Sequence, residues 1–167
     1  RVTTGAGHTA GPRPPSRECH DGRMGILTDY FIAPDDAAAA GALAQGPASA
    51  FRTVEGNGLE ATVHLGTLEE ILTGRSFEEI LDDTDDADPI AQEDDYSRFV
   101  QPVSTSLLAA LTAASREELA TAATAWSLTE ELVGADPEPL LAFLTDLTEL
   151  AKTAADTNAA IYCWVCV

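Results

Sequence analysis

The chain has 167 residues, 28 of them acidic against nine Lys and Arg, a net charge of −19 and a pI near 4.1. That balance argues against nucleic acid or an anionic membrane as partner, because both need clustered basic side chains. The length is that of one domain with a real core, no apolar run reaches the ~20 residues of a membrane-spanning helix, and residues 1–23 hold no apolar leader core. Lys152 is the single lysine beside eight arginines, and alanine is abundant. This bias is first that of a GC-rich genome or a salt-adapted cytosol, while the charge also allows an acidic protein that docks on a basic partner or mimics nucleic acid. Three cysteines, an odd number, predict no disulfide framework and a reducing, cytoplasmic setting.

Residues 1–23 carry Pro12, Pro14 and Pro15, four glycines and four arginines, with almost no large apolar side chains. They read as a disordered extension, with the domain beginning at Met24 and running to Val167. That domain holds five basic against 26 acidic residues, about −21. Met24–Ile32 reads as a first strand. Pro34-Asp35-Asp36 opens an alanine-rich helix to about Gln45, broken by Gly46-Pro47. Ala50–Val54 reads as a short strand, 55–58 as a turn, and Leu59–Val63 as its hairpin partner. Leu65–Thr73 has helical periodicity with Gly74 as its stop. Ser76 and Glu79 form a capping box that starts a short helix to Leu81.

Asp82–Asp95 reads as a loop dense in carboxylates, and Ser97–Pro102 as extended chain. Ser104–Ala114 and Ser115–Trp126 are consecutive helices, the second opening on a capping box of Ser115 and Glu118. Leu128–Val133 is a connector or one turn. Asp136-Pro137-Glu138 then starts a long amphipathic helix whose stripe is Leu140, Leu141, Phe143, Leu144, Leu147, Leu150, Ala151 and Ala154. Asp156-Thr157-Asn158 ends it. In the final strand, Ala159–Val167, Ile161, Cys163, Val165 and Val167 point one way and Tyr162, Trp164 and Cys166 the other. Neither set is polar, so both faces of this strand should be covered. The expected fold is α+β: a single domain with a small, mostly antiparallel sheet packed against several helices, and a long C-terminal helix leading into a buried last strand.

Several groupings could carry chemistry. Cys163 and Cys166 have metal or redox spacing, but on a strand positions i and i+3 face opposite ways, which predicts buried structural cysteines. The carboxylates Asp82, Asp83, Asp85, Asp86, Asp88, Glu93, Asp94 and Asp95 form the candidate interaction cluster. Read as a calcium loop, Asp82, Thr84, Asp86, Asp88 and Glu93 fall near register, but Ala87 stands where the turn needs glycine and Pro89 follows Asp88. His64 is the lone histidine of the domain, with no nucleophile placed beside it. Gly56-Asn57-Gly58 is a turn rather than a phosphate loop, since no Lys-Ser/Thr follows. Trp126 and Trp164 read as core.

The layout resembles a known family. Met24, Gly25, Tyr30 and Phe31 open it; Leu72-Thr73-Gly74 follows; then come an acidic stretch, a helix after Pro102, the Ser115, Glu117, Glu118, Leu119 helix, a long acidic leucine-rich helix and a hydrophobic last strand. Over Met24–Val167 this resembles the YfbM-like family of small bacterial proteins, and within it short actinobacterial proteins ending in Tyr-Cys-Trp. The resemblance implies a single α+β domain. It implies no activity, catalytic residue, metal or cofactor. The function expected is a non-catalytic, cytoplasmic interaction module, inhibitor- or immunity-like, taking a basic protein partner through the acidic cluster. The alternative is a small-molecule binder or enzyme with a pocket near His64, Tyr30 and Trp126.

Overall fold

The computed structural model describes residues 25–83, Asp83 by its backbone alone, and 88–167. The expected extension over 1–23 and the domain start at Met24 lie outside these residues, as do Asp85 and Asp86 of the candidate cluster and the central positions of the calcium-loop register.

The last strand organises the molecule. β5 (Ala160–Cys166) is the middle of a five-stranded sheet in the order β2-β1-β5-β4-β3, with β1 (Leu27–Ala33), β2 (Thr53–Glu55), β3 (Ala91–Gln92) and β4 (Arg98–Pro102). Every neighbouring pair is antiparallel. β1 lies along the whole of β5, from Leu27 opposite Cys166 to Ala33 opposite Ala160. On β5's other side Arg98 stands opposite Cys166 and Pro102 opposite Tyr162. The two-residue alternation therefore serves two cores. Ile161, Cys163 and Val165 join the larger one; Tyr162, Trp164 and Cys166 join the smaller; Val167, expected with the first set, lies past the strand's end and is exposed.

Four helices cover the larger face. α2 (Val63–Thr73), α4 (Thr105–Ala113) and α5 (Arg116–Trp126) contribute Leu65, Leu68, Leu107, Leu111, Leu119 and Trp126 to its core. α6 (Pro137–Thr157) adds Leu140, Phe143, Leu144, Leu147 and Leu150 along the predicted stripe. Its ends are set locally: the Asp136 carboxylate accepts the Glu138 N–H at 2.9 Å, Pro137 fills the first turn, and Asn158 takes the left-handed conformation that stops the helix. Burying a large apolar side chain stabilises by roughly 1.5–3 kcal/mol, so α6 and β5 together dominate the stability. α3 (Phe77–Asp83) packs beside α2, and a 3₁₀ turn over Glu130–Leu132 links α5 to α6.

The smaller face carries α1 (Asp36–Ala40) and the turns after it. Here the expected helix to Gln45 is corrected. Beyond Ala40 the chain runs as tight turns, with Gly41, Ala42 and Leu43 N–H groups each bonding the carbonyl three residues back. Tertiary donors tie these turns down: Leu43 O accepts from Trp164 Nε1 at 3.1 Å, and Ala44 O from Arg98 Nη1 at 2.6 Å.

A second correction concerns residues 59–63. β2 pairs with β1, Tyr30 opposite Val54, and no strand forms at 59–63. Leu59 instead inserts in the larger core while its carbonyl accepts the Tyr30 hydroxyl, and the chain turns at once into α2. Gly56 makes the turn before it feasible, because a β-carbon there would collide with the Thr28 hydroxyl and the Tyr30 ring. Among the described residues no helix is long and apolar enough to cross a membrane.

Candidate interaction site

β3 and β4 are joined by a tight hairpin that projects the acidic residues. Ala91 stands opposite Val100 and Gln92 opposite Phe99, and the Ile90 N–H donates to Val100 O at 2.8 Å. The turn closes with Glu93 N–H on Arg98 O and Tyr96 N–H on Glu93 O, both at 2.9 Å. Tyr96 then takes φ 56°, in the left-handed region. A turn followed by a left-handed residue is a common hairpin connection, and glycine or asparagine is its ordinary occupant. A side chain with a β-carbon costs roughly 1–2 kcal/mol there. The ring nevertheless stands 59% exposed at the loop tip, directly after exposed Asp94 and Asp95.

The hairpin is rigidified by its own side chains. Ser97, through its hydroxyl and its N–H, holds the Asp95 carboxyl below the usual carboxylate range. The N–H reaches Asp95 Oδ1 at 3.0 Å. The hydroxyl also lies 2.7 Å from Glu93 Oε2, where its single proton is better placed. Arg98 Nε approaches the same Glu93 oxygen at 3.5 Å, a half-exposed pair that adds orientation more than stability. Glu93 thus braces the turn, and Asp94, Asp95 and Tyr96 are what the turn presents.

The single acidic loop expected over Asp82–Asp95 is corrected accordingly. Asp82 is exposed on the last turn of α3, which the Ser76–Glu79 capping box carries on to Asp83. Asp88 is exposed beyond the undescribed residues, and Ala91–Gln92 is a strand. Sequence reading missed β3 because two residues carry no periodicity. It also missed Tyr96, for which the only signal was an aromatic residue at a position otherwise rich in turn formers.

The two C-terminal cysteines are separated as strand geometry demands, Cys163 in the larger core and Cys166 in the smaller. Cys163 is a free, buried thiol. Burial pushes it up to about 12, with the Asp29 and Glu60 charges adding and hydrogen bonding to Tyr30 and Ala61 opposing. It is therefore protonated and unreactive at neutral pH. Cys166 is disulfide-bonded, and not to Cys163. An odd cysteine count with no spacing signal predicts no such bond.

His64 sits in the first turn of α2. Its Nδ1 accepts the Glu60 N–H at 3.1 Å and its carbonyl accepts Trp126 Nε1 at 3.1 Å. The first bond closes the turn into α2 and the second fastens it onto α5. Tyr30 and Trp126 are wholly buried. Three concavities lie elsewhere: between α2, α3 and α4, between α2, α4 and α5, and between β2 and α6. None of these three is lined by Tyr30, His64 or Trp126. Among the described residues no group of three or more His, Cys, Asp or Glu is placed to hold a metal ion.

No family model, curated protein or solved structure matches the chain.

Proposed function

We propose that the protein is a non-catalytic interaction module that docks on a basic protein surface through the tip of the β3–β4 hairpin. The observation that carries this reading is Tyr96, an exposed aromatic ring held in a strained backbone conformation directly after two exposed aspartates. Strain kept at a solvent-exposed position asks for a use outside folding. Tyrosine is among the side chains that anchor interfaces, and its π face suits an arginine or lysine between flanking carboxylates. A net charge of −19 speeds encounter with a basic partner and disfavours acidic ones. Asp82 and Asp88, exposed on the segment leading into β3, extend the same negative charge along the chain. The YfbM-like resemblance is compatible with such a role and adds no activity to it. A cytoplasmic setting belongs to this reading.

The test is affinity capture from the source lysate at low and at ~0.5 M salt, with wild-type protein, Tyr96→Ala and the double variant Asp94→Asn/Asp95→Asn in parallel. The expected result is a protein retained by wild type, weakened by salt because exposed charges are screened, and lost from both variants. No retained protein, or one retained equally by all three forms, overturns the reading.

A further inference from the structure

The sheet has an open edge with a groove beside it. β2 ends the sheet on its side, and among the described residues no strand lies beyond it. The Ile32 N–H donates to Arg52 O at 3.2 Å and the Gly56 N–H to Thr28 O at 2.7 Å. Tyr30 and Val54 stand opposite each other between these bonds. Backbone direction alternates along a strand, so Arg52, Val54 and Gly56 turn their polar groups to β1 and Thr53 turns its own outward. β2 therefore presents an N–H and a carbonyl at Thr53 to whatever lies alongside.

The groove lies between β2 and α6 and has a volume of about 570 Å³. Val54 and the buried Phe143 supply its apolar floor. Ala142, Asp146 and Glu149 are exposed and line it from α6. Steps of four and three residues put them on one side of that helix. The one basic side chain in the lining, Arg52, donates to Thr153 Oγ1 at 2.8 Å and so ties β2 to α6. From Pro139 to Glu149 the helix rises about 15 Å, the reach of roughly four to five extended residues.

These features select an occupant. An open strand edge takes an extended segment, through main-chain hydrogen bonds. The carboxylates of Asp146 and Glu149 call for cations on the α6 side of that segment. Arginine or lysine stems would cover Ala142 and Phe143 while their charged heads reach the carboxylates. A second copy of this chain is disfavoured, because it brings the same carboxylates and a second net charge of −19 to the contact.

We infer that the groove between β2 and α6 takes an extended basic segment of a protein partner, added alongside Thr53, with arginine or lysine at every second position turned to Asp146 and Glu149. This site is separate from the hairpin, since β2 and β3 are opposite edges of the sheet. It does not rest on capture through Tyr96.

The experiment is an NMR titration of the isotope-labelled full chain with a blocked hexapeptide of alternating valine and arginine. The amides of Thr53, Ala142 and Asp146 should shift saturably. Asp146→Asn/Glu149→Gln should weaken binding roughly ten-fold. Glu130→Gln/Glu131→Gln removes the same charge from exposed positions outside the groove and should leave binding unchanged. Of two further peptides, one N-methylated at its valines and one at its arginines, only one should bind, because one alternate set of N–H groups faces β2. No saturable shift at these amides, equal weakening by the two double variants, or equal binding of the two methylated peptides overturns the inference. Shifts confined to Asp94, Asp95 and Tyr96 overturn it too, while leaving the hairpin reading intact. Shifts at Thr53 that grow with protein concentration alone would assign the edge to a second copy and likewise overturn it.

Discussion

β5 and the β3–β4 hairpin belong to one sheet and are built on opposite terms. Along β5 every residue from Ile161 to Cys166 is buried, both backbone edges are paired, and each side chain fills one of two cores. At the hairpin tip Asp94, Asp95 and Tyr96 are all exposed, and Tyr96 holds a conformation that its side chain disfavours. Packing explains the residues of the first stretch. It does not explain those of the second, where glycine would fold better. The contrast separates positions that determine the fold from positions that the fold displays.

The strongest way to break this contrast is to remove an anchor of β5. Trp164 is almost wholly buried and its indole N–H holds the turn at Leu43. Trp164→Ala should cost about 3–5 kcal/mol in urea unfolding. A loss below 1 kcal/mol would mean that the smaller core contributes little.

Next is alkaline pH. Burial raises the Cys163 thiol from 9.0 to about 12, and burial, with Cys163 adding, raises the Tyr30 hydroxyl well above 10.0. The folded protein therefore keeps protons that the unfolded chain releases. This contribution is complete below pH 9 and is lost as pH rises from 9 towards 12. Cys163 alone should account for up to roughly 4 kcal/mol across that window, at ~1.4 kcal/mol per unit. Urea midpoints measured at pH 8, 10 and 11 should fall steadily, and Cys163→Ala should flatten the slope. Equal slopes in the two proteins would contradict the assignment.

Two smaller effects sharpen the hairpin side. Tyr96→Gly should raise stability by about 1 kcal/mol, because glycine accepts the left-handed conformation without the steric cost. Asp94→Asn/Asp95→Asn should change stability by less than about 0.5 kcal/mol, since both side chains are exposed. A large loss in either would show the tip to be structural.

Much of this architecture was legible because it is written in short-range chemistry. Asp136-Pro137 and Asn158 bracket α6, the capping boxes of Ser76 with Glu79 and Ser115 with Glu118 both form, and the alternation from Ile161 to Cys166 predicted a strand buried on both faces. What was not legible depends on distant partners. The alanine-rich helix stops at Ala40, and the turns after it are tied to Trp164 and Arg98 through the Leu43 and Ala44 carbonyls. Residues 59–63 look strand-like, but Leu59 is used to close the core beneath Tyr30. Glu69 follows Leu68 and precedes Glu70 on a helix, a position that reads as solvent-facing; only the approach of α3 and α4 buries it. Tyr96 could not be singled out, since no local pattern predicts a left-handed tyrosine.

The most direct measurement of the central claim is capture of the basic partner by Tyr96→Gly beside wild type, with the stability of each form determined on the same preparation. The account predicts a variant that is more stable and retains its partner at least ten-fold less well. A variant that is more stable and binds as wild type does would contradict it.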